Sequence, residues 1–351
     1  MNDQRLTAIL KRSGNLPLRV RVSTDSEYRD KLVSKSERNN FEKILSQSRG
    51  ITELEFPSMN VALAQQIINL YPSIQLPSLH KLSVEYCRHD PLLHSYDSRI
   101  LPNLKQLKVT NFVPRPILAT NMTCCSLKYT SHFDILSLAD FLGVASSLKD
   151  LTLELGHITS TAMSSPADRY PLVTNTNVLS LNLNVLRHCS PLAPWVKDCI
   201  RLLNVIDMSM KISNRAALPF LFDVPMLKNL RVKAIDDGGY LSFGSILRYA
   251  PQNMTSLSLR APNDTFGLDW GENEQRSVLP RLRTLHFIEC DSMDHDFLKE
   301  VRAKFLKDGV EIEKVEVIKC REILRQTLRD IFPNSEVLDA PIICITMKAS
   351  D

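Results

Sequence analysis

No stretch of this 351-residue chain approaches 18 uninterrupted apolar residues, which excludes a conventional transmembrane helix and leaves a membrane partner unexpected. The amino terminus, MNDQRLTAILKRSG, has no long apolar segment behind a basic start, so no secretory signal peptide is expected. The eight cysteines include no C-x-x-C pair, which argues against a zinc site. Without a secretory signal they are expected as reduced thiols in a cytoplasmic or nuclear protein. No Lys/Arg run with interleaved aromatics appears, and a net charge of +4 is mild, so nucleic acid is not an expected partner.

Catalytic signatures are also missing. There is no G-x-S-x-G, no P-loop and no H-E-x-x-H. Gly238-Gly239 lacks the flanking glycines that would cradle a phosphate, and Asp236 to Gly239 reads as a turn. The chain is expected to be non-enzymatic and to hold neither cofactor nor metal.

What the sequence does contain is a returning unit. Its cleanest copy is Leu79 to Cys87, LHKLSVEYC, with the pattern L-x-x-L-x-[apolar]-x-x-[Asn or Cys] of a leucine-rich repeat. The central anchors read Leu54, Leu82, Leu107, Leu151, Leu181, Ile206, Leu230, Leu257, Leu285 and Val315. A degenerate copy, SLKYTSHF, is expected between Leu107 and Leu151 with Thr130 as its anchor. Successive anchors are then 21 to 30 residues apart, close to the range of such repeats.

Each unit cannot bury its apolar edge alone, so the units are expected to stack into a parallel sheet with a leucine ladder inside. The fold class is therefore α/β: a leucine-rich-repeat solenoid, or horseshoe, with helices or irregular returns on the outer side. Pro77, Pro102, Pro225, Pro251 and Pro280 precede the first apolar position of their units, where proline stops a helix and favours extended backbone.

Helical spacing marks 3–13, 35–48, 61–71, 136–144, 293–307 and 320–331, and Leu18, Val20 and Val22 alternate as in a half-buried strand. The segments 159–177 and 263–278 are polar and read as irregular insertions, with Trp270 isolated among charges and glycines. Val337-Leu338 and Ile342 to Ile345 are suited to a terminal strand that caps the array. This divides the chain into a capping helix-strand-helix at 1–50, an array at 51–320 and a carboxy-terminal cap at 321–351. No interior linker is rich enough in Pro, Gly or Ser to argue for two independent domains.

Strand alternation then predicts a binding face. If the leucines point inward, Lys81, Glu85, Lys108, Glu154, Asn182, Asn184, Asp207, Arg231, Lys233, Arg260 and His286 line the outer side of the sheet. Arg231, Lys233 and Arg260 lie in neighbouring units and suit an acidic or phosphorylated segment; a solvated mixed-charge face is the alternative. Cys87, Cys290 and Cys320 occupy the ninth position of their units and are expected as buried structural thiols. The run His286 to Asp296 is dense in possible metal ligands, but its spacing is unspecific. An N-cap at Asp291 or Ser292, with an exposed His286, explains it more simply.

Two segments carry a family likeness. LKRSGNLPLRVRVS, Leu10 to Ser23, resembles the R-S-G-x-x-P-L junction that opens the array in fungal F-box/leucine-rich-repeat proteins. VEVIKCREI followed by IFPNSEVLDA resembles the way such arrays close. The resemblance implies substrate recognition for an SCF-type ubiquitin ligase, with an unknown protein ligand on the sheet face. It implies a Skp-type adaptor as partner only if an F-box precedes the array, because the chain starts almost at the junction. Two readings stay open: the recognition half of an F-box protein, or a repeat scaffold with no ubiquitin role.

Overall fold

The computed structural model describes residues 3–14, 16–22, 35–46, 50–59, 76–86, 103–110, 121–130, 135–156, 173–185, 200–212, 224–235, 241–262, 266–270, 279–320, 323, 325–333 and 336–338. They fall into two compact units, Met1–Val205 and Ile206–Asp351.

The first unit runs α1 (Asp3–Ser13), β1 (Leu18–Arg21), α2 (Lys35–Ser46), β2 (Ile51–Met59), β3 (Lys81–Tyr86), β4 (Gln106–Thr110), β5 (Cys124–Tyr129), α3 (Ile135–Val144), β6 (Asp150–Leu155), β7 (Val173–Asn175), β8 (Ser180–Val185) and β9 (Ile200–Leu202). β1 to β6 and β8 pair side by side in sequence order, all parallel. The second unit runs β10 (Asp207–Ile212), β11 (Asn229–Ala234), β12 (Leu241–Ser242), α4 (Phe243–Tyr249), β13 (Ser256–Arg260), β14 (Phe266–Gly267), β15 (Thr284–Ile288), α5 (His295–Lys307), β16 (Lys314–Ile318), α6 (Arg325–Ile331) and β17 (Glu336–Leu338). Its parallel order is β10-β11-β13-β15-β16-β17. Sequential parallel strands joined by helical or irregular returns make this an α/β leucine-rich-repeat solenoid.

One backbone pattern recurs along both units. The residues two and one before an anchor both donate to the carbonyl two before the previous anchor. Lys105 and Gln106 donate to His80, Thr255 and Ser256 to Lys228, and Glu313 and Lys314 to Arg283. Because the pattern counts from the anchor, it corrects two of them. Thr123 and Cys124 donate to Lys105, while Lys149 and Asp150 donate to Thr123, so the degenerate unit is anchored by Cys125 and not by Thr130. Cys125 pairs in register with Leu107 and Leu151 and is buried, whereas Thr130 is exposed beyond the strand end. Likewise Lys228 and Asn229 donate to Ile206, which makes Met208 the anchor that pairs with Leu230. The slip at Ile206 is two residues, so the outward set there stays outward.

Inside both units the anchors and the apolar residues two positions later form the core. Leu54, Leu107, Leu127, Leu151, Leu183, Met208, Leu257, Leu285 and Val315 are all nearly inaccessible. Burying such a side chain stabilises by about 1.5–3 kcal/mol, which is why the ladder tolerates polar loops around it. The prolines act one step earlier than strand entry. In Leu76-Pro77-Ser78-Leu79, Val224-Pro225-Met226-Leu227 and Leu279-Pro280-Arg281-Leu282 the fourth residue's N–H donates to the first carbonyl. Proline thus holds the second position of a β-turn, where its fixed φ fits. Asparagines four before an anchor bond back to the preceding unit: Asn103, Asn204 and Asn253 donate from Nδ2 to the carbonyls of Pro77, Thr176 and Pro225 at 2.6, 2.7 and 3.0 Å.

Not every helix follows its sequence signal: no helical spacing marks α4, α6 begins at Arg325 and not at Cys320, and the cap of α5 is corrected. α1 and α3 match the spacing at 3–13 and 136–144, whereas 61–71 lies outside the described residues. α5 begins at His295 because Asp294, not Asp291 or Ser292, accepts the Phe297 N–H at 2.7 Å. It ends at Lys307 and is closed by Gly309 (φ +71): Val310 N donates to Phe305 O and Gly309 N to Leu306 O, a Schellman closure that glycine adopts without strain.

The described parts of both insertions contain strands. Val173–Asn175 at the end of 159–177 is β7, paired with β9, and Phe266–Gly267 within 263–278 is β14, paired with β12. Trp270 is not isolated: its ring meets Phe243 edge-on at 5.9 Å. Phe243 also contacts Phe287, Phe297 and Phe305 at 6.0, 5.8 and 6.5 Å, an aromatic cluster beneath β15.

Candidate functional site

Alternation sends one side chain in two to the open face of each sheet, and the register sorts these into rows across the strands. In the first unit, one row reads Arg19, Glu53, Lys81, Gln106, Cys124, Asp150 and Ser180. The next reads Arg21, Glu55, Ser83, Lys108, Ser126, Thr152 and Asn182, and the last runs from Glu85 through Thr110, Lys128 and Glu154 to Asn184.

Most charges on that face neutralise one another. Lys81 Nζ lies 3.3 Å from Glu53 and 3.0 Å from Glu55, and Arg19 reaches Glu53 at 3.0 Å. The hydrogen bond from Lys81 holds Glu55 below the usual carboxylate range, and the same bond raises Lys81. Lys108 pairs with Glu85 at 3.2 Å and Lys128 with Glu154 at 2.6 Å. Asn182 is exposed; Asn184 is half-buried, and its Oδ1 is buried with no hydrogen-bond partner among the described residues.

The second unit differs. Its rows are Asp207, Asn229, Ser256, Thr284 and Lys314; then Ser209, Arg231, Ser258, His286 and Glu316; then Lys211, Lys233, Arg260, Ile288 and Ile318. Asp207 accepts a hydrogen bond from Asn229 Nδ2 at 2.7 Å. His286 is half-buried rather than exposed, with Nδ1 2.5 Å from Glu316. Glu316 also meets Lys314 at 2.6 Å, and its carboxyl is held low by Lys314 first and His286 second.

Register brings Lys233 and Arg260 side by side, with Arg231 two residues earlier on β11. Arg260 is not free: Nε and Nη2 both reach Glu289, with Nε 2.7 Å from Oε2, and Lys319 lies 3.7 Å from the other oxygen. Glu289 is held there by a left-handed backbone (φ +52) just past β15. Lys211, which the sequence reading left out, stands beside Lys233 on β10. Among the described residues, Lys211, Arg231 and Lys233 make no ion pair, so they form the open positive charge of this face. Lys128, Ser126 and Cys124 were also missed, because anchoring that unit on Thr130 shifted its strand; the alternation CCSLKY was the available signal.

Two of the described thiols lie in contact. Cys290 is buried and Cys320 half-buried, with Cys290 N–H donating to Cys320 Sγ at 3.3 Å. The contact with Cys320, followed by burial, raises the Cys290 thiol, while the same contact lowers Cys320. Cys87 lies outside the described residues. No group of three His, Cys, Asp or Glu side chains converges as metal ligands among the described residues. Nor is any described helix long and apolar enough to cross a membrane.

No protein-family profile and no curated protein sequence matches the chain. Among solved structures it is similar to the leucine-rich repeat-containing protein LegL7 from Legionella pneumophila, at 17% identity and a TM-score of 0.44, over 91% of this chain and 99% of that one. It is also similar to a chain of the TLR13–ssRNA13 complex, at 15% identity and a TM-score of 0.41, covering 82% of this chain and 42% of the other. A third is the yeast complex of Rad7 and Elc1, at 13% identity and a TM-score of 0.35, over 96% and 84%. The assignment of the repeat fold rests on the strand register above.

Proposed function

We propose that this chain is a non-enzymatic protein-binding module that takes its ligand on the open face of the sheet, in the cytoplasm or nucleus. The observation that carries the reading is the contrast between the two faces. Charges in the first unit are largely spent on one another, whereas Lys211, Arg231 and Lys233 in the second stand on paired strands with no ion-pair partner among the described residues. Cations kept unpaired at fixed spacing offer a partner attraction without first breaking an ion pair.

The role we propose for the module is substrate recognition for an F-box-type (SCF) ubiquitin ligase. Its support is the Leu10–Ser23 resemblance, together with the way that segment is built: α1 ends at Ser13, Leu16 N donates to Ser13 O at 2.9 Å, and the chain enters β1 two residues later. The junction therefore leads into the first strand of the sheet. Tagging the native gene product at its carboxy terminus and identifying what co-purifies tests both levels. A Skp-type adaptor among the retained proteins is the expected result. Stable partners without an adaptor would sink the ligase role and leave a repeat scaffold.

A further inference from the structure

The row Lys211, Lys233, Arg260, Ile288, Ile318 changes character along its length. The equivalent row of the first unit carries Glu85, Thr110, Lys128, Glu154 and Asn184, with no large apolar residue among them. Ile288 and Ile318 face outward, half-buried, on adjacent strands. They present an apolar step at the end of a cationic row, and between the two lies Arg260, whose charge is taken by Glu289.

We infer that this face binds an extended acidic peptide segment of a partner protein, with carboxylates over Lys211, Arg231 and Lys233 and a large apolar side chain on Ile288 and Ile318. The inference rests on the sheet face being the protein-binding surface. Its spacing follows from the strand order. From midway between β10 and β11 to midway between β15 and β16 is three strand steps, about 14 Å, and an extended chain advances about 3.3 Å per residue. The apolar residue therefore sits about four positions from the acidic pair. Arg231 and Lys233 are two residues apart on one strand, roughly 7 Å, and Lys211 is one strand away, so the cations are spread rather than focused on a point. A run of Asp and Glu matches that spread better than a single phosphate does.

The test is a selection of random 12-residue peptides displayed on phage against the full chain. Synthetic versions of the winners are then titrated by fluorescence anisotropy. The expected result is enrichment of two or three acidic residues with Leu, Ile or Phe about four positions away. Lys211→Gln with Lys233→Gln, both at outward positions, should weaken binding at least tenfold, and Ile288→Ser with Ile318→Ser should abolish the apolar preference. Circular dichroism melts confirm that the variants fold.

Winners without acidic residues, winners with another spacing, or binding indifferent to both pairs of substitutions would overturn the inference. A phosphoserine version binding more than tenfold tighter than the carboxylate peptide would overturn the carboxylate source. A single-stranded RNA oligonucleotide that displaces the peptide at lower concentration would overturn the peptide class. Winners sensitive only to Lys108→Glu or Glu154→Lys would move the site to the first unit and leave the protein-binding reading intact. Failure of both the selection and the co-purification would remove both.

Discussion

The guanidinium of Arg260 grips the carboxylate of Glu289, with Nε 2.7 Å from Oε2. The two lie 29 positions apart in sequence, and Glu289 arrives from the turn after the neighbouring strand. That pairing removes Arg260 from the free positive charge of this face, where Lys211, Arg231 and Lys233 make no ion pair among the described residues.

The consequence for binding is an asymmetry. In capture of co-purifying partners, Lys233→Glu should cost at least tenfold, whereas Arg260→Gln should cost less than threefold. The Arg260–Glu289 pair is partly exposed, so its loss should change stability by no more than about 1 kcal/mol in urea unfolding. Equal losses of capture would show that Arg260 reaches the ligand despite Glu289.

Core placement of Cys125 and Leu127 predicts where the degenerate unit is sensitive. Leu127→Ala should cost about 2–5 kcal/mol through the cavity it leaves, read from the shift of the urea midpoint. Thr130→Ser, at an exposed site, should stay within about 0.5 kcal/mol. The reverse ranking would restore Thr130 as the anchor.

Gly244 sits inside α4, where alanine ordinarily favours a helix over glycine by about 1 kcal/mol. Here a Cβ would stand 2.0 Å from Asp269 O and 2.8 Å from Trp270 Cα, both backbone atoms. Gly244→Ala is therefore expected to destabilise, by about 1–3 kcal/mol, and to separate Trp270 from Phe243. Trp270 fluorescence should shift to the red; an unchanged spectrum with raised stability would contradict the packing.

Glu316 titrates below the usual carboxylate range because Lys314 and His286 bond its charged form. A depressed folded pKa means that this stabilisation is complete above the unfolded value of about 4.3 and is lost as pH falls through the folded pKa. Lys314→Met removes the larger cause, so the Glu316 carboxyl should titrate higher in a carbon-detected NMR series. No movement would assign the depression to His286.

The repeat was legible because its signal is dense: Leu82, Leu107, Leu151, Leu181, Leu230, Leu257, Leu285 and Val315 all pair as their spacing implied. Ile206 and Thr130 failed where the anchor is Met or Cys, residues that pack like leucine but do not match its letter. Trp270 looked stranded because its partner Phe243 lies 27 residues away, outside any window of local periodicity.

The returning unit and its alternating apolar residues by themselves determined that this chain stacks parallel strands and, outside the Thr130 unit, which side chains face outward: returns of 21 to 30 residues suit parallel stacking, and a period of two then buries the leucines on one face. Which outward charges remain available was decided only by the tertiary structure. Ion pairing depends on which strand lies alongside and on where the turn after it sends its side chain, and the positive φ that aims Glu289 at Arg260 is not written in either residue's own neighbourhood.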